Sequence, residues 1–173
     1  MRDMRISVKK LTLMAVLTAA ALIISIIEAR IPLPVSIPGV KLGLANTVTL
    51  FALFYGSGAD GLTAANAFMI LICRIVLGSL FSGRFVTLVY SFAGGLLAFA
   101  AQVLLRKIVS AKQLWACGAI SAVFHNIGQI LAAMWVTGTP SVAAYLPVLI
   151  IAGVITGIIT GLVAQFTLAR IPR

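Results

Sequence analysis

Six polar or cationic side chains lie in or beside long apolar segments, where a charged group is costly and is a functional candidate by default. These candidate substrate-binding residues are Lys41, Asn46, Arg74, His125, Asn126 and Gln129. Guanidinium and ammonium groups attract anions, and amide and imidazole groups hydrogen-bond polar solutes. The set predicts a binding site for a small anionic or strongly polar solute, and we assign no catalytic residue.

The spacing of three polar residues predicts one stripe along a helix. Ser121, His125 and Gln129 follow each other at intervals of four, so they share a helical face, while Asn126 points about 100° away. His125 is the only histidine in the chain. The competing interpretation is structural, because amide and imidazole groups in membranes also hydrogen-bond between helices, for about 0.6–2 kcal/mol each.

Arg74 lies inside an apolar segment about 13 residues beyond Gly61, or roughly 20 Å along a helix. This distance predicts a position in the outer half of the membrane, where Asn46 and Lys41 are also expected. The alternative is that the side chain reaches out to the lipid headgroups. Arg74 is expected to lack a carboxylate partner, because we expect no acidic residue within a span.

The acidic residues are too few and too scattered for several kinds of chemistry. Asp3 and Asp60 are expected in the cytoplasm and Glu28 at the outer end of the first span. Mg²⁺ sites for diphosphate chemistry need carboxylate clusters, which three isolated acids cannot supply. Cys73 and Cys117 are single thiols without metal-ligand spacing, and no phosphate-binding loop of the GxxxxGK[ST] type occurs. We therefore expect no metal and no cofactor.

The elements that position these residues are transmembrane helices. The chain of 173 residues is 62% hydrophobic and 9% charged, whereas soluble domains carry about 25% charged residues. Continuous apolar runs favour helices over a barrel, and we predict an all-α bundle of six spans in a single membrane domain covering 1–173, without a signal peptide. The expected spans are 8–27, 42–56, 61–80, 85–105, 114–136 and 143–168.

Basic residues predict that both termini lie in the cytoplasm. With this orientation nine lysines and arginines fall in cytoplasmic segments and three, namely Arg30, Lys41 and Arg84, fall in outer loops. Most of the formal net charge of +10 is then explained by topology and by contact with anionic lipid. We expect no nucleic-acid partner, and we predict a multi-pass protein of the cell membrane.

Small residues mark faces where helices can approach closely. Gly153, Gly157 and Gly161 form a GxxxGxxxG pattern that predicts packing between helices. Ala15 and Ala19 form an AxxxA face on the first span, which could serve internal packing or an external partner.

Five segments in order resemble the Gx transporter family, whose members are also described as heptaprenyl diphosphate synthase component I. The segments are PGVKLGLAN (38–46), RIVLGSLFSG (74–83), SFAGG (91–95), HNIGQ (125–129) and GVITGIITG (153–161). That family is similar to the substrate-binding S components of energy-coupling factor (ECF) vitamin transporters, which are six-helix proteins.

The resemblance implies partners that residue patterns alone do not give. Ala15 and Ala19 would dock on a transmembrane coupling protein driven by ATPase subunits, and 29–41 would form a lid over a small-molecule site. The competing expectation is a non-catalytic membrane subunit associated with heptaprenyl diphosphate or isoprenoid quinone synthesis. A membrane protein associated with quinone or flavin in electron transfer is a third alternative.

Overall fold

Long apolar runs fold into α-helices wherever proline does not interrupt them. The computed structural model describes residues 7–31, 40–55, 61–83 and 85–171. Within these residues the chain forms no strand, and its helices are α1 (Val8–Glu28), α2 (Asn46–Phe54), α3 (Ala64–Ser82), α4 (Phe85–Leu105), α5 (Leu114–Thr137) and α6 (Leu146–Ala169). All but α2 are long and apolar enough to cross a membrane. The expected all-helical, multi-pass architecture is thus confirmed at this level.

Local hydrogen bonds set where two of the spans begin. The Ser7 hydroxyl accepts from the Lys10 N–H at 3.3 Å and caps α1. Thr63 and Asn66 form a reciprocal capping box at the start of α3, which satisfies free N–H groups of the first turn. For this reason α3 begins at Ala64 rather than at the predicted residue 61.

The second helix differs most from the prediction. We expected a span over 42–56, but α2 covers only Asn46–Phe54, about 13 Å at 1.5 Å per residue. A hydrocarbon core is about 30 Å thick. Residues 40–45, here called the entry segment, are not helical because Gly43 has a left-handed φ of 83° and side chains from other helices bind the backbone there.

The short helix α2 lies at the centre of the bundle and contacts all five other helices. α4, α5 and α6 pack extensively in sequence, while α1 packs on α3 and α3 on α4. Leu50 and Leu53 of α2 are almost fully buried. The entry segment therefore enters the interior of the bundle, surrounded by the longer helices.

Glycines allow α5 and α6 to pack with their backbones in contact. A Cβ atom on Gly157 would lie 2.5 Å from the Gly118 carbonyl oxygen and 2.7 Å from the Ala119 Cα. One on Gly161 would collide with the Leu114 carbonyl oxygen, and one on Gly153 would lie 2.5 Å from the Asn126 Nδ2. We call this contact the glycine seam.

Large apolar side chains cover the outside of the bundle. Leu80, Phe81, Trp135 and Ile151 are each more than 60% exposed, a distribution that suits contact with lipid acyl chains rather than water. The polar side chains that are buried lie instead between the helices.

The orientation of the bundle can be measured by cysteine labelling. Ser110 and Ser141 are both exposed and lie at opposite ends of α5. In a chain with Cys73 and Cys117 replaced by alanine, we expect a membrane-impermeant maleimide to label Ser141→Cys in intact cells. Ser110→Cys should react only after the membrane is opened. The opposite pattern would reverse the predicted orientation, and the cysteine-free chain is the control.

Candidate functional site

Buried polar groups surround the entry segment. Asn46, Arg74, His125 and Gln129 are each at most 6% exposed. His125 lies eleven residues after Leu114 in α5, about 16 Å along the helix axis. The site is therefore near the middle of the long helices.

Gly43 is the point of closest approach between the entry segment and α5. A Cβ atom there would lie 2.7 Å from the His125 Cδ2 and 2.9 Å from the Asn46 Nδ2. The left-handed φ and this contact both require glycine. Gly94 of α4 lies on the other side of the ring, because a Cβ at Gly94 would be 2.8 Å from the His125 Nδ1. Two glycines thus enclose the histidine ring.

Gln129 holds the entry segment by its backbone. Its Nε2 donates to the Lys41 carbonyl oxygen at 3.0 Å, and its Oε1 accepts from the Lys41 N–H at 2.8 Å. The same Nε2 contacts the His125 Nε2. Non-helical backbone at membrane depth is tolerated only when protein or water satisfies its polar groups. The Gln129 amide therefore satisfies both the N–H and the carbonyl oxygen of Lys41.

Glu28, at the end of α1, provides a second partner for the entry segment. One carboxylate oxygen accepts from the Gly43 N–H and, at 3.2 Å, from the Leu44 N–H. Glu28 is only 4% exposed, and the charges of Arg74 and Lys41 both act on it. Our expectation that no carboxylate is available to Arg74 was therefore wrong. The error arose because the entry segment brings the end of α1 into the site.

Arg74 reaches the start of α2. Its Nη2 donates to the Asn46 Oδ1 at 2.9 Å. Two further donors here, the Arg74 Nε and the Asn46 Nδ2, are buried and have no hydrogen-bond partner in the described part of the chain. The site thus contains unpaired buried donors, and the Gln102 Oε1 beside Asn46 is an acceptor without a partner among the described residues.

A further polar contact joins Asn46 to α4. Gln102 of α4 lies beside the Asn46 carbonyl oxygen at 3.5 Å and the Ser121 Oγ at 3.4 Å. Ser121 is seven residues after Leu114, about 10 Å from that end of α5. Our prediction places Asn46 in the outer half of the membrane, and labelling of Ser110→Cys and Ser141→Cys tests the orientation on which that position depends.

Two residues of the site were missed by reading the sequence. Glu28 is the only glutamate of the chain and ends an apolar run, and Gln102 is the only amide in α4. Glu28 could have been found as the only acidic residue of its segment, and Gln102 as the only amide of its helix. A buried position for Glu28 could not be predicted, because it depends on contacts with residues 15 positions away.

Asn126 is not part of the cluster. Its Nδ2 donates to the Leu149 carbonyl oxygen at 2.5 Å, next to Gly153 of the glycine seam. Ala15 and Ala19 lie elsewhere again, on the exposed side of α1. Of the predicted lid over 29–41, the residues 32–39 lie outside those the structure describes.

Among the described residues, a cavity next to the entry segment is small. A small cavity with room for about one water molecule is lined by residues that include Gly43, Asn46, Gln102 and Ser121. Gly43 of the entry segment packs against the His125 ring.

Comparison with known proteins identifies a family but no characterised relative. The family model for heptaprenyl diphosphate synthase component I matches residues 17–167. No curated protein matches the chain, and no solved structure matches it. Since the family match extends over most of the sequence, this chain belongs to the heptaprenyl diphosphate synthase component I family.

Proposed function

We propose that the chain is the substrate-binding, S-component-like subunit of an ECF-type uptake transporter in the cell membrane. Its solute would be a small anionic or strongly polar molecule that binds next to the entry segment. The resemblance to S components and the buried polar cluster support this proposal. Both termini would lie in the cytoplasm, and α2 with its entry segment would take the place of one of six spans.

The observation that carries the proposal is the excess of positive charge near the start of α2, where two buried donors also lack partners. Arg74 and Lys41 are two cations whose charges act on Glu28, the one buried carboxylate among the residues that the structure describes. The donors Arg74 Nε and Asn46 Nδ2 have no acceptor among the described residues. Buried donors without partners cost about 1–3 kcal/mol each, which an oxyanion or polar ligand would recover.

The entry segment would act as the gate of this site. Gln129 and Glu28 hold it through three backbone N–H groups and one carbonyl oxygen. A solute could replace Gln129 or Glu28 in these bonds, so that the backbone N–H and carbonyl groups would keep hydrogen-bond partners. A broken helix whose half-helix starts inside the bundle is also typical of substrate sites in membrane transporters.

Energy for uptake would come from partner subunits. The sequence carries no phosphate-binding loop for ATP. Ala15 and Ala19 are exposed on α1, so a coupling protein could approach this face closely. We propose this face as the docking surface for a transmembrane coupling protein with its ATPase subunits.

The family description favours a second candidate. Heptaprenyl diphosphate synthase component I names a part of a prenyl diphosphate synthase, so the chain could be a non-catalytic membrane subunit associated with that enzyme. Three scattered acidic residues do not supply the paired Mg²⁺ sites that diphosphate condensation requires. Catalysis would then reside in another subunit.

Purification in mild detergent tests these proposals together. We expect mass spectrometry to find one small anionic molecule with the purified wild-type chain, together with a coupling protein and ATPases. In Ala15→Leu with Ala19→Leu, leucine adds bulk to the docking face while helix propensity stays high. This variant should retain the small molecule and lose the protein partners.

A matched variant controls for added bulk on a lipid-facing surface. Ala65 and Ala100 are also exposed, on α3 and α4, so Ala65→Leu with Ala100→Leu should retain both the small molecule and the partners. Recovery of a prenyl diphosphate synthase subunit instead of ATPases would favour the second candidate. Equal loss of partners in both double variants would refute docking at Ala15 and Ala19.

A further inference from the structure

We infer that the Glu28 carboxylate occupies the position of the ligand's oxyanion group and must be displaced when the ligand binds. Glu28 would be an internal anion that keeps the site closed until a solute carboxylate or phosphate replaces it. This inference rests on the proposed binding function and adds the ligand class and the event that opens the gate.

The bonds of Glu28 are those expected for a bound oxyanion. One carboxylate oxygen accepts from two successive backbone N–H groups, those of Gly43 and Leu44. Successive N–H groups beside a left-handed residue form a concave anion site, and φ at Gly43 is 83°. The N-terminus of α2, which favours negative charge, begins two residues after Leu44.

Unpaired donors next to this carboxylate are a second, independent observation. Arg74 is 5% exposed and its Nε has no partner among the described residues, and the same holds for the Nδ2 of Asn46, which is 6% exposed. The Asn46 Nδ2 lies 2.9 Å from the position of a Cβ on Gly43, so it is adjacent to the backbone that Glu28 binds. Each oxygen of a phosphate or carboxylate can accept more than one hydrogen bond, so either group could satisfy donors that one glutamate oxygen leaves free.

The link between Glu28 and the entry segment explains why displacement would open the site. Glu28 belongs to α1, whereas the N–H groups it binds precede α2. When a ligand takes over these N–H groups, the entry segment is released from α1 while its backbone stays hydrogen-bonded. Ligand binding and opening of the site are then one event, in which the ligand replaces Glu28 as the acceptor for these N–H groups.

Oxyanion binding to Glu28 variants tests this exchange. The probes are inorganic phosphate and acetate at constant ionic strength, and chloride is the control. Binding is measured by calorimetry on the purified full chain in detergent. Glu28→Ala removes the competing acceptor, so we expect about tenfold tighter binding of at least one probe, equivalent to one charge-assisted hydrogen bond. The response to phosphate compared with acetate distinguishes the two ligand classes.

A second variant separates displacement from a general effect of charge. Glu28→Gln also removes the negative charge but keeps an oxygen that can accept from Gly43 and Leu44. Displacement predicts a gain well below that of Glu28→Ala, whereas a purely electrostatic effect predicts equal gains. If Glu28→Ala does not fold, the inference requires Glu28→Gln to bind the probe more tightly than wild type, and unchanged or weaker binding overturns it.

The wild-type chain offers a direct readout, because Glu28 is its only glutamate. Selective ¹³C labelling of the glutamate side-chain carboxyl gives one signal. We expect phosphate or acetate to shift this signal in wild type, and no shift at saturating probe overturns the inference. If neither wild type nor any variant binds an oxyanion, the proposed anion-binding function fails as well. If wild type binds but Glu28→Ala binds no more tightly, only the displacement fails.

Discussion

Arg74→Gln is expected to weaken binding of anionic ligands by about 10–100-fold, the range for losing one hydrogen bond to a charged group. The guanidinium is the deepest cation of the site, and its Nη2 already orients Asn46. Glutamine can still donate to a neighbouring oxygen but brings no charge. Thermal-shift titration with inorganic phosphate and a panel of anionic metabolites measures the loss.

The expected effect on stability is smaller. Lys41 still interacts with Glu28 in the variant, so we expect the melting temperature to fall by only a few degrees, or about 2–4 °C for each 1 kcal/mol. Lys112→Gln removes an equal charge from an exposed position outside the predicted lid and should leave binding unchanged. A variant at Arg74 that keeps every ligand response but melts far lower would make Arg74 a structural residue.

Gly157→Ala is expected to destabilise the bundle strongly although it adds a single methyl group. Its Cβ would lie 2.5 Å from the Gly118 carbonyl oxygen and 2.7 Å from the Ala119 Cα, and neither backbone atom can move without separating α5 from α6. Overpacking of this kind costs about 1–3 kcal/mol or more. Loss of helical signal on heating in detergent measures the change in melting temperature.

Gly78→Ala is the matched control on α3. The nearest side-chain atom to a Cβ at Gly78 is the Leu22 Cδ2 at 3.7 Å, an ordinary contact. Alanine also favours a helix over glycine by about 1 kcal/mol, so this variant should melt at or above the wild-type temperature. Equal melting temperatures for the two variants would show that the glycine seam can separate without cost.

The sequence predicts those features of the fold that depend on local apolar content. The predicted bounds of α4, 85–105, agree with the structure, and α1 and α5 differ from the prediction by one residue at one end. These helices need only a long apolar run and a clear start. Helical periodicity also separates Asn126 from the stripe of His125 and Gln129.

The features that the sequence could not give depend on contacts between distant residues. α2 begins later than predicted because Gly43 adopts a left-handed conformation. Glu28 binds the Gly43 N–H, and Gln129 binds Lys41, which is 88 positions away in the chain. No local pattern encodes such bonds. The burial of Glu28 has the same origin, so the charge balance of the site could not be inferred before the backbone was known.

The central position of α2 has a consequence for how the protein is made. A segment of nine helical residues is too short for a translocon to release into lipid as an independent span, since about 20 apolar residues are required. α2 also contacts α6, which follows the other five α-helices in the chain. During translation α2 must therefore remain at the membrane surface or beside α1 and α3 until α6 has been made, and its final burial becomes a late step of biogenesis.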